Sequence, residues 1–342
     1  MRPTGKLHLG NYMGALYNWV RLQHEYESYF FIADLHALTS DYADTSQIKQ
    51  STLDAAVDFL AAGLDPENCT LFVQSQVKAH FELPQLLAMI TPLGWLERVP
   101  TYKEQQENLT NKDLSTYGFL GYPLMMASDI LLYQAHFVPV GQDQVAHVEF
   151  TREIARRFNN FYPSPPTPHA SKEPDHLPAE VFPEPQVLLT PSPKLPGTDG
   201  RKMSKSYGNT ILLSDPEPEI RAKLKPMVTD PARIRRKDPG NPDVCPVGDL
   251  HKVFSTAETL TKVYEGCTTA SIGCIECKGW VADAIIEHLT PIQERRRRYE
   301  QDNLLVKEIL EAGAQRASQR AGQTLAEVRT AIGLLPTLEG GT

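Results

Sequence analysis

The sequence predicts an α/β fold, a Rossmann-like doubly wound parallel sheet, followed by an all-helical C-terminal domain. Two apolar runs, at residues 29–33 and 70–73, alternate with amphipathic helical segments, as such a sheet requires. From Pro216 onward, apolar residues recur at three- and four-residue spacing, which is typical of helices. We expect these helices at 217–227, 248–266, 279–288 and 290–333. The chain therefore divides into residues 1–210 and residues 211–342.

Composition excludes a membrane-spanning or broadly basic protein. The 342 residues carry a formal net charge of −8, so any nucleic-acid surface must be local. Residues 201–240 hold ten Lys/Arg against five Asp/Glu, and residues 295–298 are four arginines, although a charge run is more often a solvated helix face. No apolar run has transmembrane length and no signal peptide is evident, so we expect a cytoplasmic protein.

The segment before the first helix departs from the plan of a parallel sheet. A nucleotide-binding βαβ unit opens with a strand whose carboxyl end leads into the phosphate-facing loop. Residues 1–5 are too few to hold that strand. We expect that Met1 is an internal methionine and that the true start lies several codons upstream; the alternative is a fold without this strand. Residues 13–26 then have helical periodicity, and the N-terminus of that helix would present N–H groups to a phosphate.

The strand at 29–33 ends in polar residues, where ligands of open α/β sheets bind. His36 lies there and could line a pocket, although a lone histidine beside a strand is often a hydrogen-bonded core residue. The capping residues Asp44 and Thr45 are expected to start the next helix, and Gly63 is expected to end it.

A single carboxylate, Asp129, lies in the apolar helical run 122–133. Tyr122, Met126 and Asp129 are about one turn apart, so they share a face. A carboxylate in apolar surroundings needs a partner. An indole N–H of a ligand is one candidate, and an internal arginine or a helix cap is the structural alternative.

Two further segments precede the basic loop. Residues 144–158 are expected to form a helix with His147 and Glu149 on its surface, since no zinc-type motif is present. Residues 163–196 hold eleven of the 27 prolines, which predicts an extended surface insertion. Within it, residues 187–189 alone resemble a strand.

The loop 200–208 places Lys202 and Lys205 three residues apart, with hydroxyls at Ser204 and Ser206. Such a glycine-flanked loop can close over a polyphosphate, where lysine charge and hydroxyl groups stabilise developing negative charge. The alternative is a solvated basic loop.

Residues 202–206 match the KMSKS loop of class I aminoacyl-tRNA synthetases. Residues 5–11 resemble the second signature of that class, with Asn11 in place of the usual second histidine. Two further segments, 122–133 and 138–144, resemble the tryptophanyl-tRNA synthetase family. The resemblance covers nearly the whole chain, apart from the first strand and the insertion.

This resemblance implies specific roles for residues. Charge stabilisation during catalysis would fall to His8, Asn11, Lys202 and Lys205. Tryptophan would be bound by Asp129, which accepts the indole N–H, and by Tyr122, Met126, Gln144 and His36. ATP would be bound by Arg2, Pro3, Thr4, Gly10, Asn11, Gly141, Gln142, Asp143, Val187, Lys202, Met203, Ser204, Lys205 and Ser206.

Five cysteines occur, and four of them cluster in the helical part. Cys69 lies in an apolar run and is expected to be a buried small side chain. The others are Cys245, Cys267, Cys274 and Cys277, separated by 21, six and two residues. In a cytosolic protein this spacing favours a metal over disulfides. Four thiolates suit zinc or a 4Fe-4S cluster; some tryptophanyl enzymes carry such a cluster on a similar pattern, so we place the cluster first, zinc second and free thiols third.

The resemblance also implies the reaction and partners. Tryptophan and ATP with Mg²⁺ would give tryptophanyl-adenylate, and the tryptophanyl group would pass to tRNA-Trp. Residues 1–210 would be the catalytic domain; residues 211–342 would bind the anticodon, with the last helix packing back on the first domain. The resemblance is to the bacterial, iron-sulfur-containing subgroup of the family, and it implies a homodimer. Two alternatives are a tyrosyl enzyme and a non-catalytic tRNA-binding regulator, which gains weight because the first strand is missing.

Overall fold

The computed structural model describes residues 1–99, 113–163, 180–189 and 195–336, apart from the side chain of Asp143. We label its elements in chain order. The strands are β1 (Tyr29–Ile32), β2 (Thr70–Val73), β3 (Phe137–Val140) and β4 (Gln186–Leu189). The helices of the first half are α1 (Leu9–Asn11), α2 (Tyr17–Leu22), α3 (Asp34–Asp41), α4 (Ile48–Ala62), α5 (Ala79–Ala88), α6 (Leu93–Leu96), α7 (Tyr117–Leu120), α8 (Tyr122–Leu131) and α9 (Val145–Phe161). The later helices are α10 (Glu217–Leu224), α11 (Pro246–Phe254), α12 (Ala257–Thr268), α13 (Cys274–Gln301) and α14 (Asn303–Ile332).

The described strands form two parallel pairs. β1 pairs with β2, from Tyr29 opposite Thr70 to Ile32 opposite Val73. β3 pairs with β4 in the same parallel sense. Helices connect the strands, as parallel pairing requires. The predicted Rossmann-like α/β class with a helical C-terminal region is confirmed, and no strand precedes β1 within the residues that the structure describes.

The end of α4 agrees with the sequence prediction, but its beginning does not. Gly63 ends α4 in a left-handed conformation (φ +117°), as expected from glycine at a helix terminus. α4 begins at Ile48, however, and not at Asp44-Thr45. The Asp44 carboxylate accepts a hydrogen bond from the Ser46 N–H in a turn that precedes the helix.

The helix boundaries in the second half differ from the periodicity prediction. The expected helix 248–266 is two helices, because Thr256 caps α12 with its side chain and interrupts the run. α13 continues past the predicted break near 289 and contains Pro291. The break comes at Asp302, whose carboxylate accepts a hydrogen bond from Leu305 N at 3.0 Å and starts α14.

α14 packs against β2 at very short range. A Cβ added to Gly313 would lie 1.8 Å from the Leu71 carbonyl oxygen, so no larger residue fits without moving the strand. Ala317 and Ala321 are fully buried in the same core. Two small side chains and one glycine thus bring the helix close to the backbone of β2, which leads into the candidate site.

The arginine cluster at 295–298 is partly structural. Arg296 is almost fully buried and forms an ion pair with the buried Asp58 of α4. Arg295 donates to the Ala61 carbonyl at 2.6 Å. These two arginines hold α13 against α4, so they do not form a solvated face.

Much of the proline-rich insertion lies outside the described residues, namely 164–179 and 190–194. Its strand-like piece is β4. Within the described residues, no helix is long and apolar enough to cross a membrane.

Candidate active site

Asp129 of α8 lies at the centre of a buried hydrogen-bond network. Gln74 Nε2 lies 2.8 and 2.9 Å from its two carboxylate oxygens. His36 Nε2 lies 2.9 Å from Oδ2, and His80 Nδ1 lies 2.7 Å from Oδ1. His80 Nε2 in turn lies 2.8 Å from the Tyr133 hydroxyl. The partners of the carboxylate are therefore neither an arginine nor a helix cap.

This network keeps Asp129 ionised. Burial would raise the pKa of a carboxyl group, but the hydrogen bonds from His36 and His80 outweigh it and hold the pKa of Asp129 well below its usual range. Tyr133 donates its hydroxyl proton to His80 Nε2, which leaves the Nδ1 proton to point at Asp129; this tautomer follows from the network. Burial raises the pKa of Tyr133, so its hydroxyl stays protonated.

A cavity of about 830 Å³ opens beside this carboxylate. Met126, Asp129 and Gln144 line it. Tyr122 and His36, also expected at tryptophan, are not among its lining residues. Tyr122 is buried with its ring 5.9 Å from that of His147.

The expected surface position of His147 is wrong, because its side chain is 3% exposed and lines the cavity. Most of the remaining wall is apolar and comes from the first and third strands and from α8. The apolar wall and the Asp129 carboxylate together suit a flat apolar ligand that has one hydrogen-bond donor.

His8 lies at the start of α1, in a reciprocal cap. Its Nδ1 accepts from Asn11 N, and the Asn11 side-chain oxygen accepts from His8 N, each at 3.3 Å. Burial, with Lys205 and Lys202 nearby, lowers the pKa of His8 to about 4. His8 is therefore a neutral imidazole at physiological pH, held at the N-terminus of a helix.

The lysine loop docks against this first segment. Lys205 Nζ donates to the Thr4 carbonyl at 2.7 Å. Gly5 has φ +87°, a conformation that favours glycine, and an added Cβ would lie 3.6 Å from Lys205 Nζ. Burial lowers the pKa of Lys205, while Asp58 and Asp54 oppose the shift. The loop and the N-terminal segment thus form one cationic corner.

Asn209 organises the loop, and sequence reasoning missed it. Its side-chain oxygen accepts from Ser204 N at 2.8 Å, and its nitrogen donates to Asp199 at 2.7 Å and to the Lys202 carbonyl at 3.2 Å. The sequence signal for Asn209 was its position directly after Gly208. Gly208 has a left-handed conformation (φ +63°) and ends the loop.

The other residues expected at ATP surround the same corner or the end of β3. Arg2 points toward α3, with its guanidinium 3.8 Å from the Asp41 carboxylate. Met203 is buried beside Gly10, where an added Cβ would lie 3.5 Å from the Met203 side chain. Pro3 is buried and Ser206 is exposed. Gly141 and Gln142 follow β3, Asp143 lies in the same turn, and Val187 lies in β4 opposite Val138.

Cys245, Cys267, Cys274 and Cys277 form no disulfide in the structure. Burial, with Cys245, Cys267 and Cys274 nearby, raises the pKa of Cys277 to about 12. Arg233 Nη1 lies 3.6 Å from Cys267 Sγ. No group of three or more histidine, cysteine or acidic side chains is placed to hold a metal ion within the described residues. The structure thus gives no support to the expected metal, whether a cluster or zinc.

Comparison with known proteins points to one family. A family model described as tRNA synthetases class I (W and Y) matches residues 1–290. The tryptophan–tRNA ligase of Thermotoga maritima is 51% identical over 337 residues, covering 98% of each chain. The ligase of Ralstonia nicotianae is 48% identical and covers 98% of this chain and 97% of its own. Among solved structures, the Campylobacter jejuni tryptophanyl-tRNA synthetase complexed with ADP and tryptophan superposes with a TM-score of 0.84 at 32% identity, covering 98% of both chains.

Proposed function

The chain belongs to the class I tRNA synthetases for tryptophan and tyrosine, and we propose that the pocket beside Asp129 selects tryptophan. Its full-length relatives are tryptophan–tRNA ligases, so its reaction is the ATP-dependent ligation of tryptophan to tRNA. The observation that carries the proposal is a buried, ionised carboxylate at the wall of a largely apolar cavity. Indole is a flat apolar ring with a single N–H donor, and it is complementary to that wall.

To bind the indole N–H, the Asp129 carboxylate must lose the hydrogen bond from one of its present donors. A carboxylate offers about four acceptor positions, and Gln74, His36 and His80 already make four contacts with this one. Gln74 spans both oxygens and His80 is held from behind by Tyr133. His36 makes a single bond from α3, so it is the donor that gives way to the indole N–H.

Activation needs positioning and charge stabilisation, and no general base. The tryptophan carboxylate attacks the α-phosphorus of ATP, and the bond to pyrophosphate breaks as negative charge develops on the leaving group. His8, Asn11, Lys202 and Lys205 stabilise that charge from the cationic corner. In the second step a terminal ribose hydroxyl of the tRNA attacks the adenylate carbonyl and releases AMP.

Mg²⁺ belongs to the nucleotide in this proposal. Phosphate oxygens are good Mg²⁺ ligands, and within the described residues no cluster of three or more histidine, cysteine or acidic side chains is placed to hold an ion. The ion would neutralise pyrophosphate while the lysines approach it from the protein side.

The division at residue 210 and the tRNA contact remain proposals. Leu9 N donates to the Ile211 carbonyl and Leu213 N to the Leu7 carbonyl, each at 2.9 Å, so the chain stays bonded to the first segment just after 210. Arg235, Arg236 and Lys237 are exposed in the helical part and could pair with tRNA phosphates, with an affinity that falls as salt rises. A cytoplasmic location is a prediction of the same kind.

We also propose that the four cysteines hold a 4Fe-4S cluster, with zinc as the weaker alternative. The support is their spacing, a Cys-x-x-Cys pair with two further cysteines in the helical part. The cluster would shape the tRNA-binding end, since this reaction moves no electrons.

Anaerobic purification tests the cluster. About four iron and four sulfide per chain, with visible absorbance, are expected. A colourless, iron-free and fully folded protein would contradict the cluster, and zinc in that preparation would establish the alternative.

A homodimer is a further proposal. An exposed apolar groove includes Met89, which is 72% exposed, together with Pro92 and Phe161. Large apolar side chains at such exposure are typical of interfaces. Sedimentation equilibrium should give twice the chain mass, and Met89→Asp should shift the protein toward monomer; a wild-type monomer would refute the dimer.

The function is tested by ATP–pyrophosphate exchange, with tryptophan and tyrosine in parallel. Exchange that depends on tryptophan and is absent with tyrosine is expected. Exchange with tyrosine alone would establish the tyrosyl alternative, and no exchange with either would establish the non-catalytic one.

A further inference from the structure

We propose that Asp58 of α4 is a positioning residue for activation: its carboxylate holds the backbone of Leu7, one residue before His8. Arg296 of α13 keeps that carboxylate charged. This inference rests on the proposed function. It follows from the hydrogen bonds of Leu7, from the burial of the Asp58–Arg296 pair and from the place of His8 in the cationic corner.

Both peptide groups of Leu7 are fixed by hydrogen bonds. The Leu7 N–H donates to Asp58 Oδ2 at 2.7 Å, and the Leu7 carbonyl accepts from Leu213 N at 2.9 Å. Leu7 is 1% exposed and Asp58 is fully buried. Because both residues are buried, loss of the Asp58 carboxylate would leave the Leu7 N–H without an acceptor.

His8 depends on the backbone that these bonds fix. Its Nδ1 accepts from Asn11 N, so the imidazole is oriented by the main chain of residues 8–11. The peptide group that follows Leu7 contains the His8 nitrogen, so a shift of the chain at Leu7 would move the imidazole relative to the phosphates. A misplacement of about 1 Å can cost about a hundredfold in rate.

Arg296 keeps the charge on Asp58. Its side chain is 3% exposed and forms an ion pair with the Asp58 carboxylate. Burial raises the pKa of Asp58, while the Arg296 charge and the Leu7 N–H oppose that rise. An ionised carboxylate is a stronger acceptor for the Leu7 N–H than a neutral one, so the charge of Arg296 strengthens the bond.

The same helix supports the other side of Leu7. Gln293 Nε2 donates to the Leu213 carbonyl at 2.9 Å, and Leu213 N donates to the Leu7 carbonyl. His288 Nε2 lies 3.2 Å from the Tyr12 hydroxyl, farther along the segment. α13 therefore supports the phosphate-facing segment from Leu7 to Tyr12 at more than one point.

Stability alone does not account for the buried ion pair. Arg296 Nη2 is buried and has no hydrogen-bond partner within the part of the chain that the structure describes. Apolar side chains of similar volume are often as stabilising as a buried ion pair, or more so. Replacing both members of the pair therefore separates the bond to Leu7 from the stability of the fold.

The test compares two double variants that both remove the ion pair. Asp58→Leu with Arg296→Met leaves the Leu7 N–H without an acceptor. Asp58→Asn with Arg296→Met is the matched control, because its side-chain amide oxygen still accepts that hydrogen bond. Tryptophan-dependent pyrophosphate exchange, thermal unfolding and hydrogen exchange at the Leu7 amide are measured for both variants and for wild type.

The leucine variant should lose about 10- to 100-fold in kcat with the KM for tryptophan unchanged, because it alters the approach to His8 and leaves the pocket at Asp129 intact. Its Leu7 amide should exchange about tenfold faster or more. The asparagine variant should stay within about threefold of wild type in both measurements.

Equal kcat in the two variants, at any level, would overturn the proposal. Loss of folding in the leucine variant alone would also overturn it, because the bond would then be structural. A wild type that supports no pyrophosphate exchange would refute the proposed function, and hydrogen exchange at Leu7 would still decide whether Asp58 holds this segment.

Discussion

The site around Asp129 and the lysine loop handle charge in opposite ways. Asp129 is buried, and its charge is balanced by hydrogen bonds from three neighbouring side chains. Lys205 is bonded to a backbone carbonyl, and its charge faces no carboxylate partner at ion-pair distance within the described residues. The first site is preorganised to read a neutral ligand group; the second keeps positive charge available for an anion that arrives with the substrate.

The largest effect is expected at the balanced site. Asp129→Ala should lower kcat/KM for tryptophan in pyrophosphate exchange by about 10⁴-fold, because the indole N–H loses its acceptor and three donors lose theirs. Circular dichroism and thermal unfolding control for folding. Near-normal exchange would remove Asp129 from the site and make the network purely structural.

The loop should behave differently. Lys205→Ala should lower kcat for activation by about 10²- to 10³-fold while the tryptophan affinity changes little, because the lysine acts on charge that develops during the reaction. Lys307→Ala, an exposed lysine on α14, is the matched control and should be silent. A large loss of tryptophan affinity in Lys205→Ala would show that both regions serve binding.

His80 contacts Asp129, so it is expected to affect tryptophan binding only through that carboxylate. His80→Phe should raise the KM for tryptophan by about 10- to 100-fold with kcat little changed. Tyr133→Phe removes only the outer bond of the network and should raise that KM less, by about fivefold. Equal effects on kcat and KM, or a lower unfolding temperature without a change in KM, would make His80 a structural residue.

The packing that supports the balanced site can be tested with two glycines of one helix. Gly313→Ala should destabilise the protein by about 2 kcal/mol, because the added methyl meets the Leu71 carbonyl of β2, the strand that leads to Gln74. Gly322→Ala meets nothing within 4 Å and should stabilise α14 by about 0.5–1 kcal/mol. Urea unfolding of both variants measures the difference. Opposite signs are expected, and equal stabilisation would show that α14 does not press on β2.

Sequence reasoning found the centres of both regions better than their surroundings. Asp129 was detectable because one carboxylate in an apolar helix needs a partner. Gln74 and His80 were missed because they lie 55 and 49 residues away along the chain, and only the fold brings them to Asp129. Periodicity likewise identified the C-terminal helices but misplaced a break, because α13 tolerates Pro291 and the chain is interrupted instead where Asp302 can cap.

The central claim is that Asp129 reads the indole N–H, and one measurement addresses it directly. Pyrophosphate exchange is compared for tryptophan and for its benzothiophene analogue, in which sulfur replaces the N–H, on wild type and Asp129→Asn. Wild type should prefer tryptophan by about 10³-fold or more, and the variant should lose most of that preference because the charge that selects the donor is gone. The same preference in both proteins would contradict the account.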